Sequence, residues 1–302
     1  MNSAKRLFYD FNFFLKTRYG EKIRRIMVNT GLGCPNRENG KKGCVYCLNG
    51  SASIVSNASQ DIRKQIEQQI NRFEKNKKAK KFIAYFQAYT NTYAPPEKLK
   101  NIFSNVSFFP EIVAVAIGTR PDCIDREKLS AIRNAVCNKD IWIEYGLQSV
   151  NPKTLAFINR GHGIKTFQQA IALTKDYGIE TGAHVILGFP WETKKDIILL
   201  ARFLAKCRID FIKIHLLHVL KGTPLEYIYN KGKIKLPDLS SYAKMAACLI
   251  EHLPRTVVIQ RLTGEGTAQT HVAPEWALNK TKVISEINNE LLSARSFQGK
   301  FC

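Results

Sequence analysis

The feature that most constrains this chain is an alternation. Short apolar runs at 23–29, 82–86, 112–117, 141–147, 183–189 and 211–217 are separated by stretches with helical spacing. Ile62, Ile66, Ile70 and Phe73 form one stripe of a helix over 59–76. Pro95 and Pro96 open a helix through Phe103, because proline suits a first turn. Asp125 caps a helix bearing Leu129, Ile132 and Val136. Thr166 with Gln169 reads as a capping box for a helix stopping at Gly178. Thr193 caps a helix carrying Ile197, Ala201 and Leu204. Strands alternating with helices require crossover connections, and so a parallel sheet. The commonest closed form of such a sheet has eight strands. Before the first run, Leu7, Phe8, Phe11, Phe14 and Leu15 recur at near-helical spacing. After the sixth come a helix near 239–252, a strand at 256–262 and a helix with Val283, Ile287 and Leu291 on one side. No linker rich in Gly, Ser or Pro interrupts the pattern, so residues 1–302 read as one domain.

Directly after the first run lies Thr30-Gly31-Leu32-Gly33-Cys34-Pro35-Asn36-Arg37, leading to Gly43-Cys44-Val45-Tyr46-Cys47. This places Cys34, Cys44 and Cys47 at C-x9-C-x2-C in a glycine-rich loop. Three thiolates can hold an iron–sulfur cluster and leave one iron without a protein ligand. An open coordination position is where a metal centre does chemistry. The competing reading is zinc, but structural zinc is normally closed by four ligands. The next candidates, Cys123 and His162, lie far along the chain.

With this loop the chain resembles the radical S-adenosylmethionine (SAM) enzymes, in particular the short elongator-like, YhcC-type group with the longer C-x9-C-x2-C motif. Matching segments run from about Val28 to Trp276. The resemblance implies an α/β fold, a partial (β/α)6 radical SAM barrel with N- and C-terminal extensions. The barrel core would be about 23–220 and the C-terminal extension about 221–302. It implies a [4Fe-4S] cluster on Cys34, Cys44 and Cys47, with SAM on the open iron. Reductive cleavage of SAM then yields methionine and a 5′-deoxyadenosyl radical, which abstracts hydrogen from the substrate. An electron donor such as flavodoxin or ferredoxin would supply the electron. The elongator catalytic subunit adds an acetyltransferase domain, for which this chain leaves no room, so acetyl chemistry is not expected.

In barrels of this kind functional residues sit at the C-terminal ends of strands, and the candidates fall there. The resemblance places Tyr46 along the SAM adenine. Gln148 and Arg160 match SAM contacts, the arginine at its carboxylate, where a guanidinium is physically sensible. Ile186 and Gly188 match the adenine-packing motif, and backbone near Leu217 should flank adenine. His184 falls at a ribose-contacting position, against the reading of a core histidine in an apolar strand. After strand two the sequence Gln87-Ala88-Tyr89-Thr90-Asn91-Thr92-Tyr93 departs from the family's Gly-Gly-Glu type segment. Tyr89, Asn91 and Tyr93 are therefore candidates to face substrate. Arg120 either pairs an anion or bridges loop carboxylates. Cys123, near a strand end, is a candidate for hydrogen transfer, and His218 for a cavity-facing role. Cys137, Cys207 and Cys248 lie in helical patterns and read as core thiols.

Charge bears on the partner. The 46 Lys and Arg exceed 25 acids, a formal +21 with pI near 9.7, the footprint expected of a nucleic-acid binder. The excess gathers at 16–25, at 75–81 and at 221–235. With the elongator-like resemblance this points to tRNA, and to wobble-uridine side chains of the carboxymethylaminomethyl type. A downstream methyltransferase would then complete the product. The enzyme alternative is a small molecule such as a porphyrinogen, and the non-enzyme alternative is a zinc-stabilised RNA-binding protein. No run reaches the ~18 apolar residues of a membrane span, and no secretory signal opens the chain. Eight cysteines, three clustered, do not read as a disulfide framework and fit a reducing cytoplasm.

Overall fold

A computed structural model describes residues 6–48, 61–75, 79–264 and 267–302. Seven strands form one parallel sheet: β1 (Ile23–Val28), β2 (Lys81–Phe86), β3 (Ile112–Thr119), β4 (Asp140–Gln148), β5 (Glu180–Leu187), β6 (Phe211–Leu216) and β8 (Val258–Arg261). They lie in that order, curled into a partial barrel whose edges are β1 and β8. The short strands β7 (Val219–Leu220) and β9 (His271–Ala273) pair antiparallel beside it. The helices are α1 (Phe11–Tyr19), α2 (Ile62–Lys75), α3 (Pro96–Phe103), α4 (Arg126–Ala135), α5 (Pro152–Phe157), α6 (Ile164–Asp176), α7 (Lys194–Cys207), α8 (Pro224–Asn230), α9 (Leu239–His252) and α10 (Lys280–Ser293).

The partial barrel expected from the sequence is present, and the C-terminal extension contributes to it. β8 pairs in parallel with β6, so the sheet gains a seventh strand from beyond residue 220. Asp125 caps α4 through Lys128 N. Thr193 and Asp196 form a capping box at α7. The box expected at Thr166 is absent: α6 begins earlier, at Ile164 after extended Gly163, and Thr166 sits inside its first turn. The termini expected for α2 at Ser59 and Asn76, like Lys77 and Lys78 of the basic run, lie outside the described residues.

The central strands β2 to β6 are buried on both faces, as parallel sheets require. The outer face packs on helices: Phe82, Ala84 and Phe86 of β2 and Ile141, Ile143 and Tyr145 of β4 share one core with Leu99, Phe103 and Leu129. The inner face is filled differently. Phe11, Phe14 and Leu15 of α1 pack against Ile83, Tyr85, Ala114, Ala116, Trp142 and Phe211. The Phe14 and Phe211 rings lie 5.3 Å apart edge-on, and those of Phe11 and Trp142 5.9 Å. Helix α1 is thus a plug in the barrel, tied down where Ile259 N donates to Tyr9 O. Of the expected core thiols, Cys207 and Cys248 are buried. Cys137 is exposed, because α4 ends at Ala135 and leaves it in the following turn, its Sγ donating to Asn134 O.

Candidate active site

The cysteine loop follows β1 and folds over the C-terminal end of the sheet. Two tight turns shape it: Arg37 N donates to Cys34 O and Cys47 N to Cys44 O. The Arg37 guanidinium donates to the carbonyls of Cys47 and Leu48. The loop after β4 holds it from the other side. Val45 N donates to Ile158 O, Asn159 Nδ2 to Gly43 O and Asn36 Nδ2 to Asn159 O. Cys44 is buried, while Cys34 and Cys47 are half-buried. Two donors reach the Cys44 sulfur: Asn36 Nδ2 at 3.5 Å and an Arg160 Nη at 3.7 Å. Burial pushes the Cys47 thiol up, against the opposing pull of Arg37.

Donors aimed at the Cys44 sulfur fit the negative charge of a thiolate ligand.

Arg160 sits at the centre of the loops. It is 6% exposed, and its Nε and Nη2 donate to Gly146 O at 3.0 and 2.6 Å. Its own carbonyl accepts from Arg120, whose guanidinium grips Asp122 through two bonds of 2.9 and 2.7 Å. Arg120 thus pairs bidentately with a carboxylate of its own loop and ties that loop to the one carrying Arg160. At Gly146 a Cβ would lie 2.5 Å from Arg160 Nη2 and 2.6 Å from Gln148 Nε2, so the ends of both side chains would have to shift. Gln148 itself is buried, with φ at 74°.

Opposite lies an apolar wall. Ile186, Leu217, Phe189 and Ile158 form one cluster, with Tyr46 and Trp191 packed against it. Gly188 has φ 110°, and a Cβ there would press on Pro237 at 3.0 Å. Ile186, Gly188, Leu217 and Tyr46 thus come together as expected. So do Gln148 and Arg160, through their shared approach to Gly146. The segment after β2 resolves differently. Asn91 is wholly buried and donates to the carbonyls of Phe86, Ala88 and Gly118, so it braces the loop and does not face substrate. Tyr93 bonds Glu38. Tyr89, with φ 57°, lies 5.8 Å under Arg37. Cys123 is buried, its thiol pushed up to about 12 by burial and then by Asp122, so it keeps its proton. His218 is pushed down to about 4 by burial, and its Nδ1 bonds Leu216 O.

Below these loops is a polar layer that the sequence reading missed, apart from His184. Alternation along β4 turns Trp142, Glu144 and Gly146 inward, and along β6 Phe211, Lys213 and His215. The Lys213 ammonium bonds Glu144 and the Tyr85 hydroxyl. His184 Nε2 bonds Glu144 Oε2 at 2.9 Å. The structure thus turns the His184 ring toward this layer. A lysine and a glutamate two residues apart from strand aromatics were the available signal.

Comparison with known proteins identifies the family. Residues 28–204 match the family model described as the Radical SAM superfamily, and residues 209–293 that of the Radical_SAM C-terminal domain. The chain belongs to the radical SAM superfamily, and it binds a [4Fe-4S] cluster and S-adenosylmethionine. Protein MJ0486 of Methanocaldococcus jannaschii is 38% identical over 97% of this chain and 92% of its own length. Protein YhcC of Escherichia coli is 31% identical over 92% and 90%. The tRNA uridine(34) acetyltransferase of Methanocaldococcus jannaschii is 27% identical over 49% of this chain and 28% of its own. Among solved structures, Elp3 of Methanocaldococcus infernus superposes with a TM-score of 0.69 at 17% identity, covering 89% of this chain. The chain spans 63% of that structure's length.

Proposed function

We propose that this radical SAM enzyme modifies the side chain of a tRNA wobble uridine, acting on the carboxymethylaminomethyl type. When bound, the cluster would supply the electron for reductive cleavage of SAM. Cys34, Cys44 and Cys47 would hold it, and Asn36 and Arg160 would stabilise charge on the Cys44 sulfur. Arg160, fixed by the Gly146 carbonyl, would receive the SAM carboxylate, and Gln148 a polar group beside it. Ile186, Gly188, Leu217 and Tyr46 would enclose adenine away from water. Cys123 keeps the proton that a hydrogen-atom donor needs, while Tyr89 and His218 remain candidates at the rim.

The observation that carries the tRNA reading is where the basic residues lie. Lys221, Lys231, Lys233 and Lys235 are all exposed. Their segment packs on the cluster loop, Leu225 N donating to Val45 O at 2.9 Å. A cationic strip beside the site suits a phosphate backbone. The name of the archaeal acetyltransferase, a tRNA uridine(34) enzyme, gives independent support. Among the described residues no helix is long and apolar enough to cross a membrane, and a reducing cytoplasm, with flavodoxin or ferredoxin as electron donor and a methyltransferase acting next, suits the cluster. Mass spectrometry of tRNA nucleosides from cells lacking the protein tests the reading: a carboxymethylaminomethyl-type uridine should accumulate and its processed form disappear. An unchanged nucleoside profile would move the substrate to a small molecule.

A further inference from the structure

The barrel lumen holds a buried chain of polar groups below the cluster loop. Glu144 is 2% exposed and Lys213 2%, but His184 is 21% exposed. The chain therefore runs from a closed end to an open one: Tyr85 and Lys213 at the back, Glu144 between, His184 at the front. Glu144 bonds both Lys213 and His184 Nε2. Burial alone would raise its carboxyl, but Lys213 and His184 overcome this and hold it well below the usual range. An ionised carboxylate can only accept, so His184 Nε2 carries the hydrogen and Nδ1 is left as a lone pair. The surroundings keep that ring neutral. Burial comes first, and Lys213 and Arg261 add to it against Glu144. His215, its ring 5.4 Å away, is likewise held neutral by burial and by Arg261. Arg25 on β1 and Arg261 on β8 both bear on Lys213, which sits at about 7 after burial and these charges.

We propose that His184 is a catalytic proton acceptor for an amine on the substrate, with Glu144 and Lys213 as positioning residues behind it. This rests on the tRNA reading, because the carboxymethylaminomethyl side chain contains a secondary amine. An alkyl amine titrates near lysine, at about 10, and so is protonated at neutral pH. Hydrogen abstraction from the adjoining carbon is favoured once nitrogen has a lone pair to share with the radical. In the step proposed, the substrate N–H bond breaks, its electron pair stays on nitrogen, and the proton forms a bond to His184 Nδ1. Glu144 opposes, without overcoming, the burial and the cationic neighbours that disfavour the imidazolium, and no electron is exchanged. The arrangement is that of an imidazole oriented by a buried carboxylate.

The test uses anaerobically reconstituted holoenzyme and tRNA bearing the carboxymethylaminomethyl uridine, with tRNA-dependent 5′-deoxyadenosine formation followed from pH 6.5 to pH 9.5. His184→Gln should lower kcat about 100-fold at pH 7, within the usual range for a lost general base. The deficit should shrink toward pH 9.5, where solvent deprotonates the amine. Cluster iron and SAM affinity should match wild type. Glu144→Gln paired with Lys213→Met removes both buried charges together, which spares the fold an unpaired ion, and should give a similar deficit with the same pH trend. A deficit that is flat with pH, or a weakened SAM affinity in His184→Gln, would overturn the assignment, the latter returning His184 to the SAM ribose. Full activity of His184→Gln would overturn it while leaving the tRNA reading intact. If wild type gains nothing from this tRNA, both fall, since His184 then has no such proton to take.

Discussion

Replacing Gly146 with alanine should uncouple the SAM site from the cluster. The added Cβ would sit 2.5 Å from Arg160 Nη2 and 2.6 Å from Gln148 Nε2. Ordinary contact is about 1 Å longer, so the guanidinium must leave the Gly146 carbonyl, an overpacking cost of about 1–3 kcal/mol. The two bonds of 3.0 and 2.6 Å that it abandons are charge-assisted, each worth about 1.5–3 kcal/mol, partly recovered elsewhere. At about 2 °C per kcal/mol for a chain of this size, the melting midpoint should fall by roughly 2–6 °C. A displaced guanidinium loses one ionic contact to the SAM carboxylate, so affinity should fall about 10- to 100-fold. Iron content should not change, because Cys34, Cys44 and Cys47 are untouched. Gly118→Ala is the control: its Cβ meets nothing closer than 3.5 Å, and SAM affinity should match wild type. Isothermal titration of reconstituted protein with SAM reads both variants. Wild-type affinity in Gly146→Ala would refute the placement of Arg160 at the cofactor.

Cys34→Ala, Cys44→Ala and Cys47→Ala should each abolish the roughly four irons and the broad absorption of the reconstituted cluster, whereas Cys207→Ala, in the helical core, should keep both; stoichiometric zinc without iron after anaerobic purification would count against all of this. Lys221→Glu with Lys231→Glu should weaken tRNA binding and flatten its salt dependence, and should do so more than charge reversal at Lys80 and Lys81, which lie at the opposite end of the barrel; filter binding at several salt concentrations ranks them. His218 titrates at about 4 when folded, lowered by burial, against about 6.5 unfolded. The unfolded chain binds the extra proton between those values, so stability is full above about 6.5 and falls toward 4, by about 2 kcal/mol from pH 7 to 5. Anaerobic urea unfolding should show that share of the loss missing in His218→Gln.

The elements that were legible are those whose signal is local. The apolar runs, the caps at Asp125 and Thr193 and the cysteine loop each declare themselves within a few residues. The seventh strand was visible as a run at 256–262, but its partner β6 lies some forty residues back, and nothing local specifies that pairing. Thr166 misled because a cap is worth only about 1 kcal/mol. Burial of Phe167, Ala170 and Ile171 sets the phase of α6, and starting at Gly163 leaves that face unchanged. Cys137 misled because a helical pattern does not announce that the helix has already ended. The polar layer was missed for a different reason. The runs at 141–147 and 211–217 look continuously apolar, and Glu144 and Lys213 pass as interruptions. Counting by twos places both on the inner face, where an unpaired charge is costly and a paired one needs its partner on another strand.

If the substrate is a tRNA as proposed, that inner face also bears on the direction from which it arrives. The N-terminal end of the barrel is closed by Phe11, Phe14, Trp142 and Phe211, a water-excluding aromatic layer. The gap between β1 and β8 opens on a cleft of about 1120 Å³ lined by Arg25 and Arg261, but Phe8, Phe11 and Phe13 of the plug also line it, so it leads around α1. The remaining approach is the C-terminal end, past the cluster loop and the exposed lysines at 221–235. A nucleotide reaching His184 by that path must leave its stack and enter the lumen, as enzymes acting on bases require. On the proposed tRNA reading the lysines would stay outside with the phosphates, and their contribution alone should respond to salt.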